Sequence, residues 1–345
     1  MNNRYISVLE KFRSDRESNT PISAFDWGPM DLHNYFIEFQ RGSEARWADT
    51  LNYYCSSSVA ISLIGNGRMW LNDVRKMNDG SEMLFAVDYI QSELSRIKEI
   101  EGIQSGLVEV IEKSYSNLTD SAIWKDSITY NDKLILAMCF SVSKDDAAMW
   151  DMYADKGKGA YISFNLRKLF TVVKTAGHFF PNSNTFEHGI TPICYGEEDC
   201  SCVDDAYAHS LEAYSLAETN DERDLIRTML HANVLELLVS HKHNTFASEK
   251  EYRIYSRAPS VKTWSGTDHI IEHEKGNTKS VHAEIFLPHQ ALNQSEEEFW
   301  DELIESVTLG PCATEETKVE LQSALDKRGI GSKLMESKCP LVNYD

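Results

Sequence analysis

Leu134-Ile135-Leu136-Ala137-Met138-Cys139-Phe140-Ser141-Val142 is the longest uncharged apolar run in the chain. It is about half as long as a bilayer-crossing helix requires, so it reads as a buried strand rather than a membrane span. Similar short apolar segments recur outward from it, at Ala160 to Phe164, Thr191 to Tyr195, Tyr252 to Tyr255, His282 to Leu287 and Ser306 to Leu309, with Met69-Trp70-Leu71 upstream. Helical signals fall irregularly among them. Val59 to Ile64 is a short apolar helix ended by Gly65 or Gly67, because glycine accepts the left-handed conformation that closes helices. Asp79 or Ser81 caps a helix whose apolar positions Phe85, Ala86, Tyr89, Ile90 and Leu94 recur at three and four. A longer helix is expected from Asp221 to Ser240, and Thr314 caps a last one from Glu315 to Asp326, closed by Gly329. Strands and helices mixed without regular alternation predict an α+β fold, with mostly antiparallel sheets and flanking helices.

The first fifty residues stand apart: a polar helix near Tyr5 to Asp15, then a turn-rich stretch from Thr20 to Pro29. The expected organisation is a helical N-terminal extension over residues 1–50, packed on a single α+β domain over 51–345. An acidic helical insertion is expected around 197–240.

The chain has 345 residues, 34 basic and 54 acidic, for a net charge of −20. Such a surface repels phosphate backbones and anionic lipid, which argues against charge-driven nucleic-acid or membrane binding. The acidity is uneven: residues 197–224 hold ten acids and one arginine, almost half of the excess. That stretch is either a solvated helical face or, from Asp204 to Asp224, a dock for a basic partner. The N-terminus lacks the apolar core of a signal peptide, and seven scattered cysteines suit reduced thiols, so a cytoplasmic protein is expected. Cys200-Ser201-Cys202 is a lone close pair without a second, so no metal is expected.

Three motifs remain. The first is Tyr53-Tyr54-Cys55-Ser56-Ser57, leading to Gly67-Arg68-Met69-Trp70-Leu71-Asn72 and Met77-Asn78-Asp79-Gly80-Ser81-Glu82. The second is Cys139-Phe140-Ser141-Val142-Ser143, then Ala148-Met149-Trp150-Asp151-Met152-Tyr153 and Lys158-Gly159-Ala160-Tyr161-Ile162-Ser163-Phe164. The third is Lys242-His243-Asn244-Thr245-Phe246-Ala247-Ser248-Glu249-Lys250-Glu251-Tyr252-Arg253-Ile254. As an ordered set, from about Leu51 to Pro311, they resemble the uncharacterised bacterial family numbered 2971 among domains of unknown function.

Their layout is also similar to that of the ADP-ribosyltransferase superfamily, and that resemblance implies the chemistry. Cleaving the nicotinamide–ribose bond of NAD, here a substrate, builds positive charge on the ribose, which a neighbouring carboxylate stabilises. Glu251 is the expected stabilising residue, and Glu249 would position the acceptor. In an extended segment Glu249, Glu251 and Arg253 share a face. Tyr54, Ser141, Trp70, Trp150, Tyr153 and Arg253 are the residues expected to bind NAD: the rings stack and Ser141 hydrogen-bonds. The resemblance implies a toxin or phage-defence effector, and net acidity favours a protein acceptor over nucleic acid. The chain departs from the superfamily in offering Tyr54 where a His or Arg would grip NAD.

Competing readings accompany each motif. Glu249, Glu251, Lys242 and Arg253 also suit a structural ion-pair cluster at a sheet edge, and Trp70 and Trp150 suit core positions. Asn78-Asp79 suits a turn and cap. A non-catalytic sensor or interaction module of a defence system is the first alternative function. A metal-independent nuclease using His241 and His243 is the second.

Overall fold

The computed structural model describes residues 4–17, 48–74, positions 85, 86, 88, 89, 92 and 95, and residues 134–178, 187–196, 201–258, 270–275, 278–286 and 292–340. The turn-rich stretch from Thr20 to Pro29 and the candidate caps Asp79 and Ser81 lie outside them.

The order is α1 (Arg4–Glu17), β1 (Thr50–Cys55), α2 (Ser57–Asn66), β2 (Arg68–Asp73), β3 (Leu134–Ser141), α3 (Ala147–Tyr153), β4 (Ala160–Asn165), α4 (Leu166–His178), β5 (Glu187–Pro192), β6 (Cys194–Tyr195), α5 (Ser201–Leu216) and α6 (Asn220–Ser240). There follow β7 (His241–Lys242), a 3-10 helix (Asn244–Glu249), β8 (Glu251–Ala258), β9 (Ile270–Lys275), β10 (Thr278–Phe286), α7 (Glu296–Leu303), β11 (Ile304–Leu309), α8 (Glu315–Lys327), a 3-10 turn (Gly331–Lys333) and β12 (Leu334–Glu336). This is the mixed architecture that the periodicity predicts. Among the described strand pairs only β11 with β12 and β6 with β7 run parallel.

The apolar run from Leu134 becomes β3, the branch point of a ten-stranded sheet. β8 pairs with β3 along its whole length, from Leu134↔Ala258 to Ser141↔Glu251, and β5 lies outside β8. The opposite edge of β3 is shared: Ser141 pairs with Asn52 of β1, whereas Leu136 and Ala137 pair with β2. From β1 the sheet continues through β4 and β11 to β12, and from β2 through β10 to β9.

Alternation along the strands then sorts two faces. Leu51, Leu136, Met138, Phe140, Ile162, Phe164, Tyr252, Ile254 and Val307 point to the main core, where α2, α4, α7 and α8 cover them. The next residues along the same strands point the other way.

Thr314 caps α8 as its sequence signal predicts, and other helix ends carry caps of their own. Ser56 starts α2, and Gly67, at φ 64, closes it by donating to the Leu63 carbonyl. Thr219 and Glu222 form a capping box on α6. Glu222 is buried there and also accepts from Arg13 of α1 at 2.9 Å. This hydrogen bond holds the Glu222 carboxyl down to about 2. The acidic stretch is thus internal at Glu222, which is tied to α1, whereas Asp224 is exposed and pairs with Arg227 at 2.8 Å. Among the described residues no helix is long and apolar enough to cross a membrane.

One expected strand divides. Thr191 to Tyr195 belongs partly to β5 and partly to β6, with Ile193 between. Pro192 has no N–H for the ladder, and beyond it the chain leaves β8 to pair with β7.

Candidate functional site

The face of the sheet turned away from the main core is polar where β1, β3, β4 and β8 meet. Cross-strand register aligns Ser306, Ser163, Asn52, Ser141 and Glu251 in one row across five strands. The four from Ser163 to Glu251 are buried. Ser163 Oγ donates to Asn52 Oδ1 at 2.7 Å, and Asn52 Nδ2 donates to the carbonyls of Ser141 and Ser143 at 3.2 Å each. Ser141 Oγ donates to the Glu249 carbonyl at 2.6 Å and accepts from the Ser143 amide. The row is satisfied from within the chain, as buried polar groups must be.

At the β8 end of the row lies a cluster of four charges. Lys242, Glu249, Glu251 and Arg253 are 4%, 5%, 5% and 1% exposed, so the group is sealed. Lys242 Nζ reaches Glu249 Oε2 at 2.7 Å and Glu251 Oε2 at 3.1 Å. Arg253 Nε donates to Glu251 Oε1 at 2.6 Å, and its Nη1 to the Val239 carbonyl at 3.1 Å. Tyr153 OH donates to the remaining Glu249 oxygen at 2.7 Å. Burial alone pushes the Glu251 carboxyl up, but Arg253 by charge and hydrogen bond, with Lys242, holds it down to about 2. Burial and the bond to Glu249 push the Tyr153 phenol up, keeping it a donor. Two cations and two carboxylates leave the cluster neutral.

The local chain explains the meeting. Helix α6 delivers Lys242 through β7, held beside β6. His243 caps the 3-10 helix by accepting from the Thr245 amide, and Lys250, at φ 45, ends it. That left-handed residue reverses the path before β8 begins. The expected extended row is therefore corrected: Glu251 and Arg253 share a strand face, but Glu249 belongs to the 3-10 helix and reaches them through the turn. Nor is the cluster at a sheet edge, because β8 is flanked by β3 and β5.

Next to the cluster, α3 lays an aromatic group on the same face. Tyr54, Met149, Trp150, Ala154 and Tyr161 pack together, with Tyr153 and Cys339 against them. Trp150 meets Tyr54 edge-on at 5.1 Å, and Tyr54 lies 4.9 Å from Tyr161. Tyr54 OH donates to the Ser143 carbonyl and accepts from the Asp146 amide, both at 3.2 Å.

Seven of the eight residues singled out in the sequence thus stand on one face: Tyr54, Ser141, Trp150, Tyr153, Glu249, Glu251 and Arg253. Trp70 lies on the same side of the sheet but outside their group. It is 43% exposed on β2 and stacks on His282 of β10 at 4.3 Å. His241 and His243 sit in different settings. His241 is buried against Tyr89, while His243 is exposed and serves as the cap. Sequence reasoning missed Asn52 and Ser163, whose signal was the polar residue on alternate positions of otherwise apolar strands. It also missed Asp145 and Tyr195, whose OH accepts from the Glu251 amide at 2.7 Å. Among the described residues no three His, Cys, Asp or Glu side chains gather to hold a metal ion; Cys200 lies outside them.

Residues 149–254 match the model of the family described as Protein of unknown function (DUF2971). The matched residues begin inside α3 and end inside β8, and they include Lys242 and both glutamates. Tyr54 and Trp70 fall outside them. No curated protein and no solved structure matches the chain.

Proposed function

We propose that this chain is an ADP-ribosyltransferase-like protein that takes NAD as substrate, with Glu251 stabilising positive charge on the ribose and Glu249 positioning the acceptor. The observation that supports the reading is the convergence of Tyr54, Ser141, Trp150, Tyr153, Glu249, Glu251 and Arg253, drawn from three separate motifs, on one polar face. A fold gains little from four buried charges, because desolvation offsets most of their attraction, and such clusters concentrate where chemistry requires them. The rings supply planar stacking surfaces, and Tyr153 links them to the carboxylates.

In the closed arrangement both oxygens of each glutamate already have donors, so a ribose hydroxyl must displace Lys242 or Arg253 from Glu251. The same occupancy, together with the cluster's neutrality, favours a second reading: a non-catalytic interaction module in which the cluster only fastens β8 to α6.

One experiment separates the two. Purified protein and its Glu251→Gln variant are incubated with labelled NAD and cell lysate, and nicotinamide release and label transfer are followed. The transferase reading expects release by the parent chain and its loss in the variant, with folding of both checked by circular dichroism. Absence of release by the folded parent chain across protein and nucleic-acid acceptors sinks the transferase reading and leaves the interaction module.

A further inference from the structure

The end of the described chain lies on the aromatic group. Beyond β12 the Ser337 amide donates to the Leu309 carbonyl at 2.9 Å. The Ser337 hydroxyl then bonds Asp145 Oδ1, and the Lys338 amide donates to Asp145 Oδ2 at 2.7 Å. The Cys339 amide turns back to the Ser337 hydroxyl at 3.0 Å, and Cys339 packs against the cluster of Tyr54, Met149, Trp150, Ala154 and Tyr161. Asp145 Oδ1 also receives the indole N–H of Trp150 at 2.8 Å. One carboxylate therefore grips both the tail and the ring beneath it.

Two features mark this contact as more than a fraying terminus. Asp145 sits at φ 52, a left-handed conformation uncommon outside glycine, asparagine and aspartate. Its partners are donors from the tail together with the indole N–H of the aromatic cluster, so tail docking and Trp150 orientation are coupled through a single group. In contrast, Lys338 and Pro340 are exposed, and a segment held by a few hydrogen bonds opens at far lower cost than the core.

We propose that residues 337–340 form a releasable strap, latched by Asp145, that covers Tyr54, Trp150 and Tyr161 and must lift before a planar ring can stack on them. What would then enter rests on the transferase reading; the latch does not. The strap gives the closed face a means of opening that touches neither glutamate, and it makes residues 337–340 an autoinhibitory element.

The test uses the full chain and the thiols it already carries. N-ethylmaleimide labelling is followed residue by residue by mass spectrometry, with buried Cys55 in the main core as internal reference. Asp145→Ala is expected to accelerate labelling of Cys339 at least roughly tenfold, since hydrogen bonds to a charged acceptor are the strong ones, and to leave Cys55 unchanged. Ser337→Ala removes a tail donor without touching the Trp150 bond and should give a smaller acceleration. Hydroxyl-radical footprinting should rise at Tyr54, Trp150 and Tyr161 in Asp145→Ala. An unchanged Cys339, or Cys339 and Cys55 rising together, overturns the latch. A faster Cys339 without a gain at the three rings overturns the cover. Nicotinamide release is read on the same samples, so failure of the transferase reading shows separately from the labelling result.

Discussion

Replacing Lys242 by methionine removes the one ammonium that bridges Glu249 and Glu251, at 2.7 and 3.1 Å. At an effective dielectric of about 20, those distances correspond to gross attractions of about 6 and about 5 kcal/mol. Methionine also spares the variant the cost of burying the ammonium, and measured losses for breaking buried pairs are about 3–5 kcal/mol. Arg253 still neutralises Glu251 in the variant, so Glu249 is the carboxylate left uncompensated. It has an escape, because it can take up a proton. Protonating an ordinary glutamate at pH 7 costs about 4 kcal/mol, which caps the destabilisation near that value.

The cap carries a pH signature. In the variant the folded state binds a proton that the unfolded state, with an ordinary carboxyl, does not, so the loss grows as pH rises above the ordinary glutamate range. Urea unfolding of Lys242→Met is expected to show a loss of about 4 kcal/mol at pH 7, shrinking by about 1.4 kcal/mol for each unit toward pH 5. The double variant Lys242→Met/Glu249→Gln carries no uncompensated charge, so it should recover most of the loss and have a flat pH profile. A Lys242→Met variant within about 1 kcal/mol of the parent at pH 7, or a loss independent of pH, refutes the description of a sealed, mutually neutralised cluster.

The parent chain should have its own acid limit. Glu251 and Glu222 both titrate near 2 in the fold instead of in the ordinary glutamate range, so their stabilisation is complete above about pH 4.5 and is lost as pH falls toward 2; a urea series across that window should show the decline, and stability flat through it would refute the pairing. Close backbone approach predicts a second loss. A Cβ on Gly159 would stand 2.1 Å from the Cys55 carbonyl oxygen and 3.0 Å from that of Ala154, so Gly159→Ala should lower the unfolding midpoint by the equivalent of at least about 2 kcal/mol, and a silent substitution there would show that the β1–β4 junction is looser than described.

Legibility followed from how local each signal was. The long helix α6 needed only its apolar period, and glycine narrowed the end of α2 to Gly65 or Gly67. The division of the expected Thr191 to Tyr195 strand was half visible, since Pro192 stands in its middle. The left-handed turn at Lys250 was not legible, because a lysine carries no preference for that conformation. Placing Glu249 on a strand was therefore the natural expectation and the wrong one. Trp70 shows the complementary limit: an aromatic residue on a short strand reads alike whether it lines a site or stacks on His282 at a distance from it.

By itself the sequence determined the α+β class, the strands β3, β4, β8 and β11, the Thr314 cap, and the residue types that form the polar face, because each depends on neighbours a few positions apart. Only the tertiary structure decided that Ser163, Asn52, Ser141 and Glu251 lie in one row, that Lys242 closes the two glutamates into a neutral group, and that Asp145 holds the tail over Trp150. Those facts depend on strand register and on contacts between residues far apart in the chain. Such contacts are set by the packing of the whole sheet, and no local stretch encodes them.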